Sequence, residues 1–362
     1  MQRIRVGLVG GGMAGPYFGK SFRALSDRVE FVAFADVREE VAREFAREYG
    51  AKYFYTDYRR ILDRKDVDAF FVATPPYLHK EMVVAAAQAG KHVLTEKPLA
   101  LNLIEADEMI QACDQAGVRL GCIFMYRFMD TARKIKRAVE GKWLGKLVLG
   151  SCVAKFYRTE EYYRSGPWRG KWVGEGGGAL MSQAIHTIDL LIWIMGEVDS
   201  LAGHYATMTH DIEVDDVAVA TLRFKNGALG TIEGATATKP GYPRRLEIHG
   251  ERGTIQLLDD DIRIWDVEGM DPAEFLSGEK RDLGNTYSMP GYASHENHML
   301  QITDFLDAIV EGRTPLVDGR EGRRALEVIR AIYQSSDTGR VIKFPVVDDR
   351  SYGRPPLSRT YA

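Results

Sequence analysis

A strand, a glycine turn and a helix open this chain, and no other feature narrows its fold as much. The β-branched run Ile4–Val9 leads directly into Gly10-Gly11-Gly12-Met13-Ala14-Gly15, and a helical pattern begins past Gly15. Gly10, Gly12 and Gly15 thus stand at G-x-G-x-x-G spacing. In that context the glycines, with Met13 and Ala14 between them, let the backbone approach a pyrophosphate while the helix N-terminus offers unpaired N–H groups. A dinucleotide site at the head of a parallel sheet is the reading.

The next hundred residues keep the same rhythm. Val29–Ala35, Val67–Ala73, His92–Thr95 and Val118–Phe124 read as strands, alternating with helical patterns from Glu39, Leu78 and Leu103. That is the βαβ order of an α/β Rossmann domain. Past Lys146 the pattern changes to Leu147–Phe156, Val217–Phe224, Gly230–Thr236, Arg245–His249, Thr254–Leu258 and Ile262–Val267. Lys225-Asn226-Gly227 between two of these runs is a hairpin signal, so the strands are expected to form an open, largely antiparallel or mixed sheet. Helices at Ala179–Met195 and His298–Glu311 are expected to cover one face of it, with Met129–Glu140 as a helical bridge. The division this suggests is residues 1–126 for the dinucleotide domain, 127–347 for a substrate and oligomerisation domain, and 348–362 for an extended arm rich in Arg, Pro and Ser.

Length and charge narrow the function. A chain of 362 residues with 45% hydrophobic content can bury two moderate cores. With 48 basic against 51 acidic residues, nothing favours nucleic acid or an anionic membrane. Cys113, Cys122 and Cys152 form no CxxC pair, and the histidines show no HExxH-like spacing, so neither a disulfide framework nor a metal site is expected. The N-terminus has no signal-peptide pattern, and no apolar run reads as long enough to span a bilayer; a cytoplasmic protein is the expectation.

Asp36 ends the second strand 21 residues past Gly15, where a carboxylate would accept hydrogen bonds from an adenosine ribose and repel a 2′-phosphate. NAD is therefore expected over NADP, although Arg38 could pair with that phosphate. Asp36 could instead cap the helix near Glu39. Thr74-Pro75-Pro76 follows Val67–Ala73 at the carboxyl edge, where open α/β sheets bind ligands, and would wall the nicotinamide-side ribose. His79 either joins that wall or packs within the following helix. Glu96 and Lys97 complete the expected cofactor edge after His92–Thr95.

Oxidising a secondary alcohol needs hydride transfer together with loss of the hydroxyl proton. A lysine partly desolvated beside a cationic ring is a credible base, and Lys97 is the candidate, a surface lysine being the alternative. The second constellation is Gly176-Gly177-Gly178 followed by Ser182, His186, Asp189 and Trp193, which a helix turning about 100° per residue brings to one face. Asp189 is expected to orient His186, and the glycines to let the helix start press against a ligand; a buried histidine satisfied by an aspartate is the plainer alternative. Tyr126-Arg127, Tyr157, Tyr162-Tyr163-Arg164 and Trp168-Arg169 supply ring faces and forked donors suited to a sugar or polyol, or else to packing at a domain interface.

Gly10-x-Gly12-x-x-Gly15, Ala73-Thr74-Pro75, Glu96-Lys97-Pro98, Tyr126-Arg127-Phe128, the glycine-rich helix with His186, and Asp304-Phe305…Glu311-Gly312-Arg313-x-Pro315 together resemble the Gfo/Idh/MocA oxidoreductase family across nearly the whole chain. The resemblance implies a Rossmann domain joined to an α/β domain with an open sheet, NAD or NADP, and a sugar, polyol or related alcohol as substrate. It also implies a homodimer or homotetramer. Lys97 and His186 fall on the family's Lys-Asp-His catalytic set, but Ser182 stands four before the histidine, where the family often has Asp. A serine relays a hydrogen bond and cannot serve as a carboxylate base, so Lys97 and His186 would divide the work. Redox-assisted glycoside cleavage with recycled NAD, trans-dihydrodiol dehydrogenation and a non-catalytic ligand sensor are the other functions this fold admits.

Overall fold

The computed structural model describes residues 3–276, 295–347 and 349. The chain divides into two compact units, the first taking residues 1–125 and 293–323 and the second 126–292 and 324–362. The Asp348–Ala362 arm, apart from Asp349, lies outside the described residues.

In the first unit the order is β1 (Ile4–Val9), α1 (Gly15–Ala24), β2 (Val29–Ala35), α2 (Glu39–Tyr49), β3 (Tyr53–Tyr55), α3 (Arg59–Leu62), β4 (Ala69–Val72), α4 (His79–Gln88), β5 (His92–Thr95), α5 (Leu103–Ala116) and β6 (Leu120–Cys122). The six strands are all parallel, in the order β3-β2-β1-β4-β5-β6. This is the doubly wound arrangement, and its chain order reverses between β1 and β4. Ala69–Val72 is buried throughout, as a parallel strand covered on both faces must be. Local signals agree with the ends: Asn102 caps α5 by accepting from the Glu105 amide at 2.9 Å, while Gly117 beyond its C-terminus takes φ 66°. The short edge strand β3, only three residues long, is absent from the sequence-based reading.

The second unit holds α6 (Asp130–Glu140), β7 (Leu147–Lys155), α7 (Glu160–Arg164), α8 (Trp172–Glu175), α9 (Ile185–Met195) and the strands β8 (Val198–Ala206), β9 (Val217–Phe224), β10 (Leu229–Ala235), β11 (Arg245–Gly250), β12 (Gly253–Leu258) and β13 (Asp261–Val267). Further along the chain come α10 (His295–Glu311), α11 (Gly319–Thr338) and β14 (Ile342–Lys343). The eight strands run in the order β13-β12-β11-β7-β10-β9-β8-β14; only the β7–β10 pair is parallel. The expected hairpin joins β9 to β10, with Gly227 at φ 89° and the Asn226 side chain accepting from the Ala228 amide at 3.0 Å. Residues of β9 alternate between buried and exposed, so one face is covered and the other open. On the covered face Leu191 and Met195 of α9 pack against Gly150.

Two expectations are corrected. Helix α10 does not cover the second sheet; it packs in the first unit, where Phe305 lies edge-on to Phe71 at 6.0 Å and Gln301 bonds the Cys122 carbonyl and the Phe124 amide at 2.7 and 2.9 Å. Its amphipathic pattern suits either sheet, and these long-range partners decide the matter. The run Trp172–Met195 is also long and apolar enough to cross a membrane, contrary to the sequence reading, yet 83% of it is buried. Gly176 in the left-handed conformation, φ 72°, breaks it after α8.

Candidate active site

The first turn of the Rossmann unit is built around its glycines. Gly10 takes φ 100°, and a Cβ there would lie 2.4 Å from the Ala73 carbonyl oxygen; one at Gly15 would lie 2.4 Å from that of Gly10. Gly12 differs, since a Cβ would meet nothing within 4 Å. Its side is open, beside the exposed Met13 and half-buried Ala14. No side chain caps α1. The second strand ends at Asp36, which is 7% exposed and accepts from the Gly11 amide at 2.9 Å and the Arg38 amide at 3.0 Å. It therefore does not cap α2, whose N-cap is Arg38. The exposed Arg38 side chain adds bonds of 3.0 and 3.2 Å to the same carboxylate. Burial alone would raise the Asp36 pKa, but these donors outweigh it and hold the group below its ordinary value. An ionised carboxylate beside the glycine turn fits an adenosine ribose.

Thr74 and Pro75 follow β4, and Glu96 and Lys97 follow β5, so all four occupy the carboxyl edge of the first sheet. Lys97 is half-buried. Glu96, 7% exposed, accepts from the Lys97 amide at 3.2 Å and lies 3.4 Å from His298 Nε2. Burial would raise its pKa, but His298 and Lys97 hold it below the usual carboxylate value. The His298 ring in turn stacks on Tyr17 at 4.9 Å. His298 escaped the sequence reading because it lies 202 residues from Glu96 with no motif linking them. His79 is fully buried, with a ring nitrogen on each of two backbone carbonyls, so it packs behind this edge and is withdrawn from direct cofactor contact.

In the second unit the glycine-rich start is not a regular α-helix. Ala179–Ala184 form a π-helical turn before α9 begins. A Cβ at Gly177 would lie 2.2 Å from the Tyr333 hydroxyl, and one at Gly178 would lie 1.9 Å from the Asp215 carbonyl oxygen. The room expected for a ligand is thus taken by the protein itself. Asp215, fully buried, accepts from the Gly178 amide at 2.6 Å, the Leu180 amide at 3.0 Å and the Tyr333 hydroxyl at 2.7 Å. Burial raises its pKa. The paired carboxylates Asp215-Asp216, immediately before β9, are the signal that would have found it.

Ser182 Oγ donates to the Gly178 carbonyl at 2.8 Å. The expected shared face of α9 is present farther on. Tyr126 lies 4.9 Å from the His186 ring, while Arg127 makes a two-pronged pair with Asp189, at 2.8 and 2.6 Å, and sits 5.5 Å from the Trp193 ring. This corrects two roles. Arg127, 1% exposed, is committed to a buried ion pair and does not face a substrate. Both oxygens of Asp189 engage Arg127, because a buried guanidinium demands a paired counter-charge; the aspartate serves that arginine as counter-ion.

Residues of the expected aromatic set bond one another and several residues it lacked. Arg244 lies 3.9 Å over Tyr126. The Tyr162 hydroxyl accepts from Arg169 at 2.8 Å and Gln183 at 3.0 Å, and Gln183 accepts from Arg158 at 2.6 Å. Arg169 lies 4.3 Å over Trp168, and Tyr163 bonds Thr236 at 2.7 Å. Burial lowers the Arg158 pKa and raises that of Tyr126. Tyr157 carries Lys239 over its ring at 5.7 Å, and Arg164 is exposed. Among the described residues no group of three His, Cys, Asp or Glu side chains could hold a metal ion.

Comparison with known proteins bears on both units. Residues 4–124 match the oxidoreductase family with an NAD-binding Rossmann fold, and residues 132–256 match the GFO/IDH/MocA C-terminal domain. Myo-inositol 2-dehydrogenase of Thermotoga maritima is 30% identical over 95% of this chain and 99% of its own length. Levoglucosan dehydrogenase of Pseudarthrobacter phenanthrenivorans is 27% identical over 93% of this chain and 97% of its own. The crystal structure of the WlbA dehydrogenase from Bordetella pertussis, in complex with NADH and UDP-GlcNAcA, superposes with a TM-score of 0.86 at 32% identity, covering 96% of this chain and 100% of that one. The glycine cradle and the ionised Asp36 agree with these matches, and the chain belongs to the Gfo/Idh/MocA family of NAD-binding oxidoreductases.

Proposed function

We propose that the chain transfers a hydride between NAD and a secondary hydroxyl or ketone of a sugar, sugar derivative or cyclic polyol. The observation that carries this reading is the placement of a half-buried Lys97 on the same sheet edge as the cradle at Gly12 and the ionised Asp36. The relatives act in the same direction, being dehydrogenases of myo-inositol and levoglucosan and a dehydrogenase crystallised with UDP-GlcNAcA.

When bound, NAD supplies the hydride acceptor or donor. Gly10–Gly15 would hold its pyrophosphate, Asp36 its adenosine ribose, and Thr74, Pro75 and Glu96 its nicotinamide end. Lys97 takes the hydroxyl proton during oxidation and returns it during reduction. His186 hydrogen-bonds the same oxygen, and Ser182 holds the turn from which His186 projects. Tyr126, Tyr163, Trp168 and Arg169 line the ring-binding side, with Arg158, Gln183 and Arg244 added to that set. Exposed Val219, Leu229 and Ile264 on the open face of the second sheet support a homo-oligomer, and the buried free thiols of Cys113, Cys122 and Cys152 suit a reducing cytoplasm.

A panel of myo-inositol, scyllo-inositol, levoglucosan and UDP-GlcNAcA with NAD, followed by NADH absorbance, tests the reaction. Lys97→Ala is expected to lower kcat on the active alcohol by about a hundred- to ten-thousandfold while leaving the NADH Kd within about threefold. Near-normal kcat in that variant would remove Lys97 from the mechanism. Consumption of a glycoside without net NADH would instead favour redox-assisted cleavage.

A further inference from the structure

His79 opens α4 with no exposed surface at all. Its Nδ1 lies 2.9 Å from the Pro98 carbonyl oxygen and its Nε2 3.0 Å from that of Thr74. One imidazole thus sits between the loops that leave two neighbouring strands, β4 and β5, on the ligand-binding edge; burial favours its neutral form, whose single N–H, when carried on Nδ1, donates to the Pro98 carbonyl. Pro98 is the residue after Lys97, and Glu96, the residue before it, is held by His298 and by the Lys97 amide. The backbone is therefore tied on both sides of Lys97. A side chain that only filled space here would be apolar, because a buried N–H must find an acceptor, and the Pro98 carbonyl is within reach of Nδ1.

We propose that His79 is a positioning residue for Lys97: through the Pro98 carbonyl it fixes the chain that carries the lysine against the Thr74–Pro75 loop. The proposal rests on the role assigned to Lys97 above. His79 touches neither substrate nor cofactor and acts through the loop. Misplacing a reacting group by about an ångström costs up to about a hundredfold in rate, so a loosened Lys97 loop is measurable even when the fold survives.

The two nitrogens can be tested separately. An asparagine amide nitrogen reaches the place of Nδ1, toward Pro98, whereas a glutamine amide nitrogen reaches the place of Nε2, toward Thr74. His79→Asn, His79→Gln and His79→Leu are assayed in the full chain with the panel alcohol that turns over fastest, alongside NADH fluorescence titration and thermal melting. His79→Asn is expected to keep kcat within about threefold, while the Gln and Leu variants lose about tenfold or more. NADH Kd is expected to stay within about threefold in all, because the contacts assigned to Gly10–Gly15 and Asp36 lie on other loops and only the Thr74–Pro75 contact is shared. Equal kcat losses in the Asn and Gln variants, or losses matched by weaker NADH binding, would overturn the proposal. Should the Leu variant fail to fold, the Asn and Gln pair still decides. Normal kcat in Lys97→Ala sinks the underlying role of Lys97; a dead Lys97→Ala beside active Gln and Leu variants sinks only the positioning by His79.

Discussion

A methyl group added at Gly12 would meet no atom within 4 Å, whereas one added at Gly178 would lie 1.9 Å from a backbone oxygen of Asp215. Both glycines belong to runs that open a helical segment, and from spacing alone both invite a ligand. The first run holds Gly10 against the Ala73 carbonyl and Gly15 against that of Gly10, and leaves Gly12 facing open space. The second is filled from within, by Asp215 and the Tyr333 hydroxyl, which together fasten the π-helical turn carrying Ser182. Small residues mark a close approach, and only the surrounding atoms say whether the thing approached is a ligand or the protein.

The sharpest way to break this contrast is to substitute the two positions alike. Gly178→Ala should cost at least the upper end of the about 1–3 kcal/mol typical of overpacking, since the contact is with backbone and no rotamer relieves it. For a domain of this size that is roughly 2–4 °C in Tm per kcal/mol, and thermal melting reads it. Gly12→Ala should leave Tm unchanged and weaken NADH. If the methyl intrudes on the pyrophosphate by a comparable 1–3 kcal/mol, Kd rises by about five- to 150-fold. A Gly12→Ala chain that melts early with normal Kd would reverse the assignment of the two runs.

The sequence made one half of this legible and hid the other for a physical reason. The cofactor end is coded locally: Gly10 to Gly15, Asp36, Thr74-Pro75 and Glu96-Lys97 each sit just beyond a strand whose burial pattern is plain in the residues. The Ala179–Met195 element was equally visible, but its π-helical start was not, because the turn is set by Asp215 and Tyr333, 118 residues apart. Arg127 and Asp189 likewise looked like site residues and proved to be a buried pair spanning 62 positions. Helix α10 carries an amphipathic pattern that suits any sheet, and only Phe305 and Gln301, once placed, assign it to the first unit. What spacing conceals throughout is the identity of the long-range partner.

The contrast sharpens further at Asp36, whose carboxylate meets protein donors on one side and is proposed to meet ribose hydroxyls on the other. Asp36→Ser should shift the NAD over NADP preference by about tenfold, the worth of one charge-assisted hydrogen bond of about 1.5 kcal/mol, and calorimetric titration with both cofactors measures it. The pH behaviour follows from its pKa, which the Arg38 and Gly11 donors hold below the ordinary carboxylate value. A carboxylate depressed on folding contributes stability above its unfolded pKa and loses it as pH falls through the folded value. The same ionised form binds ribose, so the NAD preference should be flat from about pH 8 down to about pH 5. A preference that decays within that range, or a native preference for NADP, would remove Asp36 from the cofactor site and promote Arg38.

The smallest effect is expected at Ser182, where the chain departs from the carboxylate common in its family. Its hydroxyl already donates to the Gly178 carbonyl at 2.8 Å, so the proton it would relay is engaged within the turn, leaving only lone pairs to offer a substrate. Loss of one neutral hydrogen bond is worth about 0.5–1.5 kcal/mol. Ser182→Ala should therefore lower kcat/KM by roughly two- to twelvefold, tenfold being about 1.4 kcal/mol. His186→Ala removes a group proposed to hold the reacting oxygen and should cost about a hundredfold or more. Measuring both variants on the same alcohol, with thermal melts beside the kinetics, separates the possibilities. A Ser182→Ala chain that melts early but turns over normally would make the serine a fastening of the turn, like Asp215. A kinetic loss equal to that of His186→Ala would put it in the catalytic core and refute the division of work between Lys97 and His186.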